Sequence, residues 1–201
     1  MTISGPRVRP VEAVVIGGSA GANRVLRQVL GGLTPQFPVP IVVVLHMHPD
    51  DGGLLVENLQ RTCPLPVVEI LDKMPSVPGR VHVAPPDYHV LMERRGTFAL
   101  SLDEPVQYCR PAIDVTLTSA SALLGAGLLA IILSGANEDG ADGVTAARRA
   151  GARTIVQDPA DAQFPVMPAA ALARSGQERG LTAREIAAHL QGLERLVGHH
   201  G

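Results

Sequence analysis

The chain has 201 residues, 46% of them hydrophobic and only 2% aromatic, with a formal net charge of −2. That length and apolar content suffice for one buried core, so a single domain over 11–198 behind a short tail at 1–10 is expected. The near-neutral balance lacks the basic excess that coats phosphates, and no polybasic run seeks anionic lipid, so nucleic acid is not an expected partner. The most apolar segments, Ile41 to Leu45 and Leu123 to Leu133, fall well short of the roughly 20 residues that cross a bilayer. No membrane insertion and no signal peptide are expected, and Cys63 and Cys109 stand too far apart for a C-x-x-C. A reducing, cytoplasmic location fits that cysteine usage.

Four short apolar runs, Ala13 to Ile16, Ile41 to Leu45, Leu129 to Leu133 and Thr154 to Gln157, are rich in β-branched residues and apolar on both faces, as buried parallel strands are. Between the first two, Gly21 to Gly31 carries Leu26, Val29 and Leu30 at helical spacing with a glycine stop, which makes a βαβ unit. Helical patterns recur over Gly53 to Arg61 and Ala141 to Ala150. The stretch Val67 to Leu102 breaks the rhythm: Val81 to Ala84, Tyr88 to Met92 and Thr97 to Leu102 are short runs between turn signals, predicting short strands and a hairpin. A last helix starts at Thr182, with Glu185 three residues on as a capping box, and runs to about Val197. Small aliphatics and alternating strands and helices together predict a layered α/β fold.

The first strand ends in Gly17-Gly18-Ser19-Ala20-Gly21, a G-x-S-x-G between strand and helix. Glycines permit a tight turn there, so a serine hydroxyl stands above the sheet near a helix N-terminus, and Ser19 is the candidate nucleophile. A phosphate-binding turn is the competing reading. A dinucleotide fold would place an acid at the end of its second strand, but this one ends in His46. A histidine there points at the same crevice as Ser19 and can serve as general base. The third buried run is followed by Ser134 to Gly140, whose loop holds an acid able to orient an imidazole; spacing leaves Glu138, Asp139 and Asp142 open.

These residues, taken together, resemble the catalytic domain of the chemotaxis protein-glutamate methylesterase family, CheB. The resemblance runs from about Val14 to Leu196: the elbow at Gly17 to Gly21, His46-Met47, the Pro78 to His89 stretch, Arg110-Pro111-Ala-Ile-Asp114, and Asp139-Gly140. It implies a doubly wound, three-layer αβα fold with a mostly parallel sheet and a short antiparallel hairpin. It also implies a Ser-His-Asp carboxylesterase with Ser19 as nucleophile, His46 as base and Asp139 as the orienting acid, without metal or cofactor. The implied substrates are γ-methyl esters of glutamate on chemoreceptor helices, with methanol released and glutamine deamidation a related activity. Backbone N–H groups of Ala136 and Ala20 would meet the oxyanion, and Arg110 would greet acidic groups of the receptor helix.

The sequence departs from that family in having Ala136 and Asn137 where Met and Gly are usual, which implies a changed pocket lining. The familiar enzyme also carries an N-terminal receiver domain, so regulation here is expected from a partner in trans, from expression, or not at all. Three competing functions remain: a catalytically silent adaptor of a chemosensory array, a metal-dependent hydrolase built on His46 and His48, joined by His82 and His89, and a nucleotide-binding module on the Gly-rich turn.

Overall fold

The computed structural model describes residues 9–47, 52–94 and 96–197. Its centre is a six-stranded sheet of β1 (Ala13–Gly18), β2 (Ile41–Leu45), β3 (Val67–Glu69), β4 (Val81–Val83), β7 (Leu128–Ile132) and β8 (Arg153–Val156). The order across the sheet is β3-β4-β2-β1-β7-β8, and every pairing is parallel. Strands β1, β2 and β7 are buried throughout, as strands covered by helices on both faces must be. A separate antiparallel pair, β5 (His89–Met92) with β6 (Phe98–Ser101), forms the hairpin.

Alternation along β1 divides the core into two layers. Val14 and Ile16 point into one cluster, with Leu26 and Leu30 of α1 (Ala22–Gly31), Leu59 of α2 (Gly52–Gln60) and Ile186 and Leu190 of α6 (Ala183–Val197). Val15 points into the other, with Leu117 of α3 (Ile113–Leu124), Val144 of α4 (Ala141–Arg149), Met167 of α5 (Val166–Ser175) and Phe98 of the hairpin. The result is the three-layer αβα sandwich with a mostly parallel sheet and a short hairpin that the family resemblance implies.

From β1 the chain winds outward through β2 on one side, and it returns later to lay β7 on the other. Such a switch point opens a crevice beyond the carboxyl ends of the strands, where open α/β sheets place their ligands. The loops after β1, β2 and β7 meet there. Three elements, β3, α3 and α5, have no counterpart in the sequence expectations.

Candidate active site

The turn after β1 is shaped by two glycines for different reasons. Gly21 begins α1 at φ 79°, a left-handed backbone that a side chain would strain. Gly17 lies under α3: a Cβ there would sit 2.4 Å from Ile113 Cγ2. Between them Ser19 is half-buried, and its N–H donates to the Ser134 carbonyl at 2.9 Å. Ser134, fully buried beyond the end of β7, donates its hydroxyl to the Ala20 carbonyl (2.8 Å) and accepts the Phe164 N–H (2.9 Å). Its own N–H is taken by Gln157 Oε1 at 2.9 Å. Ser134 therefore clamps the serine turn to its neighbours, a role for which the sequence carried no signal beyond the residue's place in a loop.

Register pairs Gly18 with Leu45, and the His46 N–H donates to the Gly18 carbonyl at 3.3 Å, so Ser19 and His46 leave adjacent strands at the same level. His46 Nε2 lies 2.7 Å from Asp139 Oδ2. Asp139 is fully buried, and its carboxylate also accepts the N–H groups of Ile113 (2.6 Å) and Asp114 (3.0 Å). These are orphan donors at the positive end of α3, where an anion is favoured. Asp114 returns the favour by accepting the Gly143 N–H in the first turn of α4 at 2.6 Å. Burial is the main reason its carboxyl is pushed up to about 6, with Asp139 nearby adding to the effect. Of the three acids that spacing left open, Glu138 and Asp142 pair with Arg174 at the surface, and Asp139 is the one beside the imidazole.

The other ring nitrogen faces Asn137, one of the departures from the family pattern, and Cys109, which the sequence had not tied to the site. Cys109 Sγ lies 3.6 Å from His46 Nδ1, and the Asn137 amide nitrogen lies 3.3 Å from Nδ1 and 3.2 Å from Sγ. A two-residue hairpin presents the thiol: Val106 and Cys109 exchange hydrogen bonds of 3.1 and 2.9 Å across Gln107 (φ 50°) and Tyr108 (φ 64°). Positive φ at both central residues is the mark of a type I′ turn. Burial disfavours a charged His46, but the hydrogen bonds from Asp139 and Cys109 outweigh it and raise the ring to about 9. Among the described residues the Ser19 hydroxyl makes no hydrogen bond, to His46 or to any other group.

Two further backbone donors stand at the crevice. Among the described residues, neither the Ala20 N–H after β1 nor the Ala136 N–H after β7 donates to a protein acceptor. A cleft of about 240 Å³ opens beside His46, lined also by Met47, Asp87, Tyr108, Cys109 and Arg110 among others. Arg110 spends one guanidinium nitrogen on the Leu102 and Asp103 carbonyls, at 3.1 and 3.2 Å, and so braces the rim of the cleft.

The histidines of the metal reading do not gather round His46. His89 accepts the Ala112 N–H at 3.1 Å and contacts the Glu104 carbonyl, and His82 accepts the Val77 N–H at 3.1 Å, so both are tied to backbone. His48 lies outside the described residues.

Known proteins similar to this chain are identifiable over most of its length. A protein of Leptospira interrogans, provisionally named protein-glutamate methylesterase/protein-glutamine glutaminase, is 38% identical over 88% of this chain and 91% of its own length. Enzymes of the same name from Anaeromyxobacter dehalogenans and Xanthomonas oryzae pv. oryzae are 36% and 37% identical, and this chain spans about half of their length, 49% and 52%. The crystal structure of the Thermotoga maritima CheB methylesterase catalytic domain superposes with a TM-score of 0.87 at 32% identity, covering 92% of this chain and 100% of that domain. Residues 14–190 match the family described as CheB methylesterase, and the chain belongs to that family.

Proposed function

We propose that residues 11–198 form one catalytic unit, behind the tail at 1–10, that hydrolyses glutamate γ-methyl esters on cytoplasmic chemoreceptor helices and releases methanol. The observation that carries this reading is the 2.7 Å contact between His46 and the buried Asp139, made one strand away from Ser19. With Nε2–H held by Asp139, Nδ1 is the nitrogen left to accept the Ser19 proton. Forming that bond requires the ring to leave Cys109 and Asn137; hydrogen bonds of this kind commonly tighten only when substrate is bound.

The proposed steps are those of acyl transfer. Ser19 attacks the ester carbonyl as His46 takes its proton, and the tetrahedral oxygen receives the Ala20 and Ala136 N–H groups, each such donor contributing about 3 kcal/mol. His46 returns the proton to the departing methanol, and water then cleaves the acyl-serine by the same route. A glutamine side chain in place of the ester would release ammonia, which is the glutaminase activity in the relatives' names. In this reading Arg110, at the cleft rim, meets the acidic groups of a receptor helix with the part of its guanidinium not committed to Leu102 and Asp103.

The test is methanol release from receptor carrying labelled methyl-glutamate. Ser19→Ala is expected to lower the rate by at least about a thousandfold. Equal release by the variant would remove Ser19 from the mechanism. A second reading, a silent adaptor of the chemosensory array, draws on the occupation of Nδ1 by Cys109 and Asn137. It predicts receptor binding by both proteins with no methanol from either.

A further inference from the structure

His46 Nδ1 and Cys109 Sγ lie side by side, 3.6 Å apart. The Asn137 amide nitrogen stands beside them, 3.3 Å from Nδ1 and 3.2 Å from Sγ. Once Nδ1 has lost its proton, the nitrogen and the sulfur each have a lone pair to offer a cation that reaches both. We propose that these two atoms form a binding site for a zinc-class divalent cation, and that its occupation blocks the hydrolytic centre.

The spacing suits a tetrahedral ion. Zinc bound to sulfur at about 2.3 Å and to imidazole nitrogen at about 2.0–2.1 Å holds the two ligand atoms roughly 3.5 Å apart. The separation here is 3.6 Å, so the ion fits without moving either backbone. The thiol is held by the two-residue turn at 107–108, and the imidazole by the end of β2.

Asp139 completes the arrangement without being a ligand. Ligand atoms of His46, Cys109 and Asp139 lie within 4.8 Å of one another, yet the Asp139 oxygens already accept the Ile113 and Asp114 N–H groups and face Nε2. It is therefore the outer carboxylate of a carboxylate–histidine–metal relay, fixing the proton on Nε2 and directing the Nδ1 lone pair toward the ion. The remaining coordination positions open into the cleft of about 240 Å³, which leaves room for water or for an Asn137 amide turned to present its oxygen.

A thiolate and an imidazole select a borderline-soft ion and give magnesium or calcium, which require oxygen ligands, no hold. Two protein ligands make an open, exchangeable site that a chelator empties. Uptake of the ion goes beyond the hydrolytic reading and stands without it, whereas the block rests on that reading, because the ion takes the nitrogen that must receive the Ser19 proton.

The experiment titrates chelator-stripped full chain with zinc against a chromophoric indicator, with magnesium as contrast and cobalt as a spectroscopic stand-in. One equivalent of zinc is expected at micromolar concentration, with a thiolate-to-cobalt charge-transfer band and no competition from magnesium. Cys109→Ala should weaken uptake about tenfold or more and erase the band. Alkylating the half-exposed Cys109 in the unmutated protein should do the same, which separates loss of a ligand from loss of folding, since Cys63 is buried. Unchanged zinc uptake in the variant, or a cobalt complex without the band, overturns the site. Zinc that binds through Cys109 yet leaves ester hydrolysis untouched overturns the block. Absence of hydrolysis even with chelator present counts against the hydrolytic reading alone, and uptake still decides the site.

Discussion

His46 is pulled between two acceptors, and its protonation follows from them. Asp139 and Cys109 together raise the ring to about 9 against the opposing effect of burial. A base must be unprotonated to act, so with chelator present kcat/KM is expected to climb with pH from neutrality and level off near 9, roughly tenfold per unit on the rising limb. Cys109→Ala removes one of the two acceptors, so the same climb should finish at lower pH; an unmoved profile would mean that the thiol does not hold the proton. At this scale the sequence was partly legible. Ser19 and His46 were readable as neighbours because each directly follows a buried run, and parallel strands bring consecutive runs side by side. Spacing alone did not single out the acid, which only the family resemblance named as Asp139: Glu138 and Asp139 share a loop, Asp142 follows in the first turn of α4, and tertiary packing separates Asp139 from the pair that meets Arg174. Cys109 was invisible for a similar reason, as nothing in a spacing of 63 residues ties it to an imidazole.

Helix α3 does for the site what no single residue does. Its first N–H groups hold Asp139, its Asp114 reaches the first turn of α4, and Ile113 rests against the end of β1. Gly17→Ala would place a Cβ 2.4 Å from Ile113 Cγ2, forcing helix and strand apart. Overpacking of this kind costs about 1–3 kcal/mol, and denaturant unfolding should register it. Ile113→Ala opens a cavity and should itself destabilise by about 2–5 kcal/mol. The double variant should lose less than the sum, because the new methyl enters the space that isoleucine vacates; strict additivity would show that the two residues do not touch. The helix escaped the sequence reading because Ile113 to Leu124 is rich in Val, Thr and Ser, weak helix formers, and is too apolar on all sides to show a stripe. Burial between the sheet and α4 overrides that propensity. Helix α5 was hidden by Pro168, which sits in its first turn, where the missing N–H would lack an intrahelical acceptor anyway. The apolar strands declared themselves because burial on both faces leaves a continuous β-branched run.

At the scale of the whole molecule, the parallel sheet and the hairpin meet across His82 of β4 and Phe98 of β6, whose rings lie 5.1 Å apart. His82 is fully buried, and its Nε2 accepts the Val77 N–H at 3.1 Å, which places the ring proton on Nδ1, an atom without a partner among the described residues. Protonating Nε2 would break the Val77 bond and leave a buried charge, and burial is the main reason the ring is pushed down to about 4 from its ordinary 6.5. The consequence for stability has a definite sign. Between about 6.5 and 4 the unfolded chain takes up a proton that the folded chain refuses, so stability falls as pH drops through that window and this contribution levels off below it. The loss is on the order of 3 kcal/mol. Asp114 works the other way, since its raised carboxyl relieves the folded state as pH falls below about 6, so the acid response of the protein mixes opposing groups. His82→Gln isolates one of them: the amide oxygen can still accept the Val77 N–H but has no proton to gain. Urea unfolding of both proteins at neutral pH and near pH 4.5 should show a larger acid loss in the histidine protein than in the glutamine variant. Equal losses would mean that the junction between sheet and hairpin tolerates the charge, and that acid sensitivity lies elsewhere in the fold.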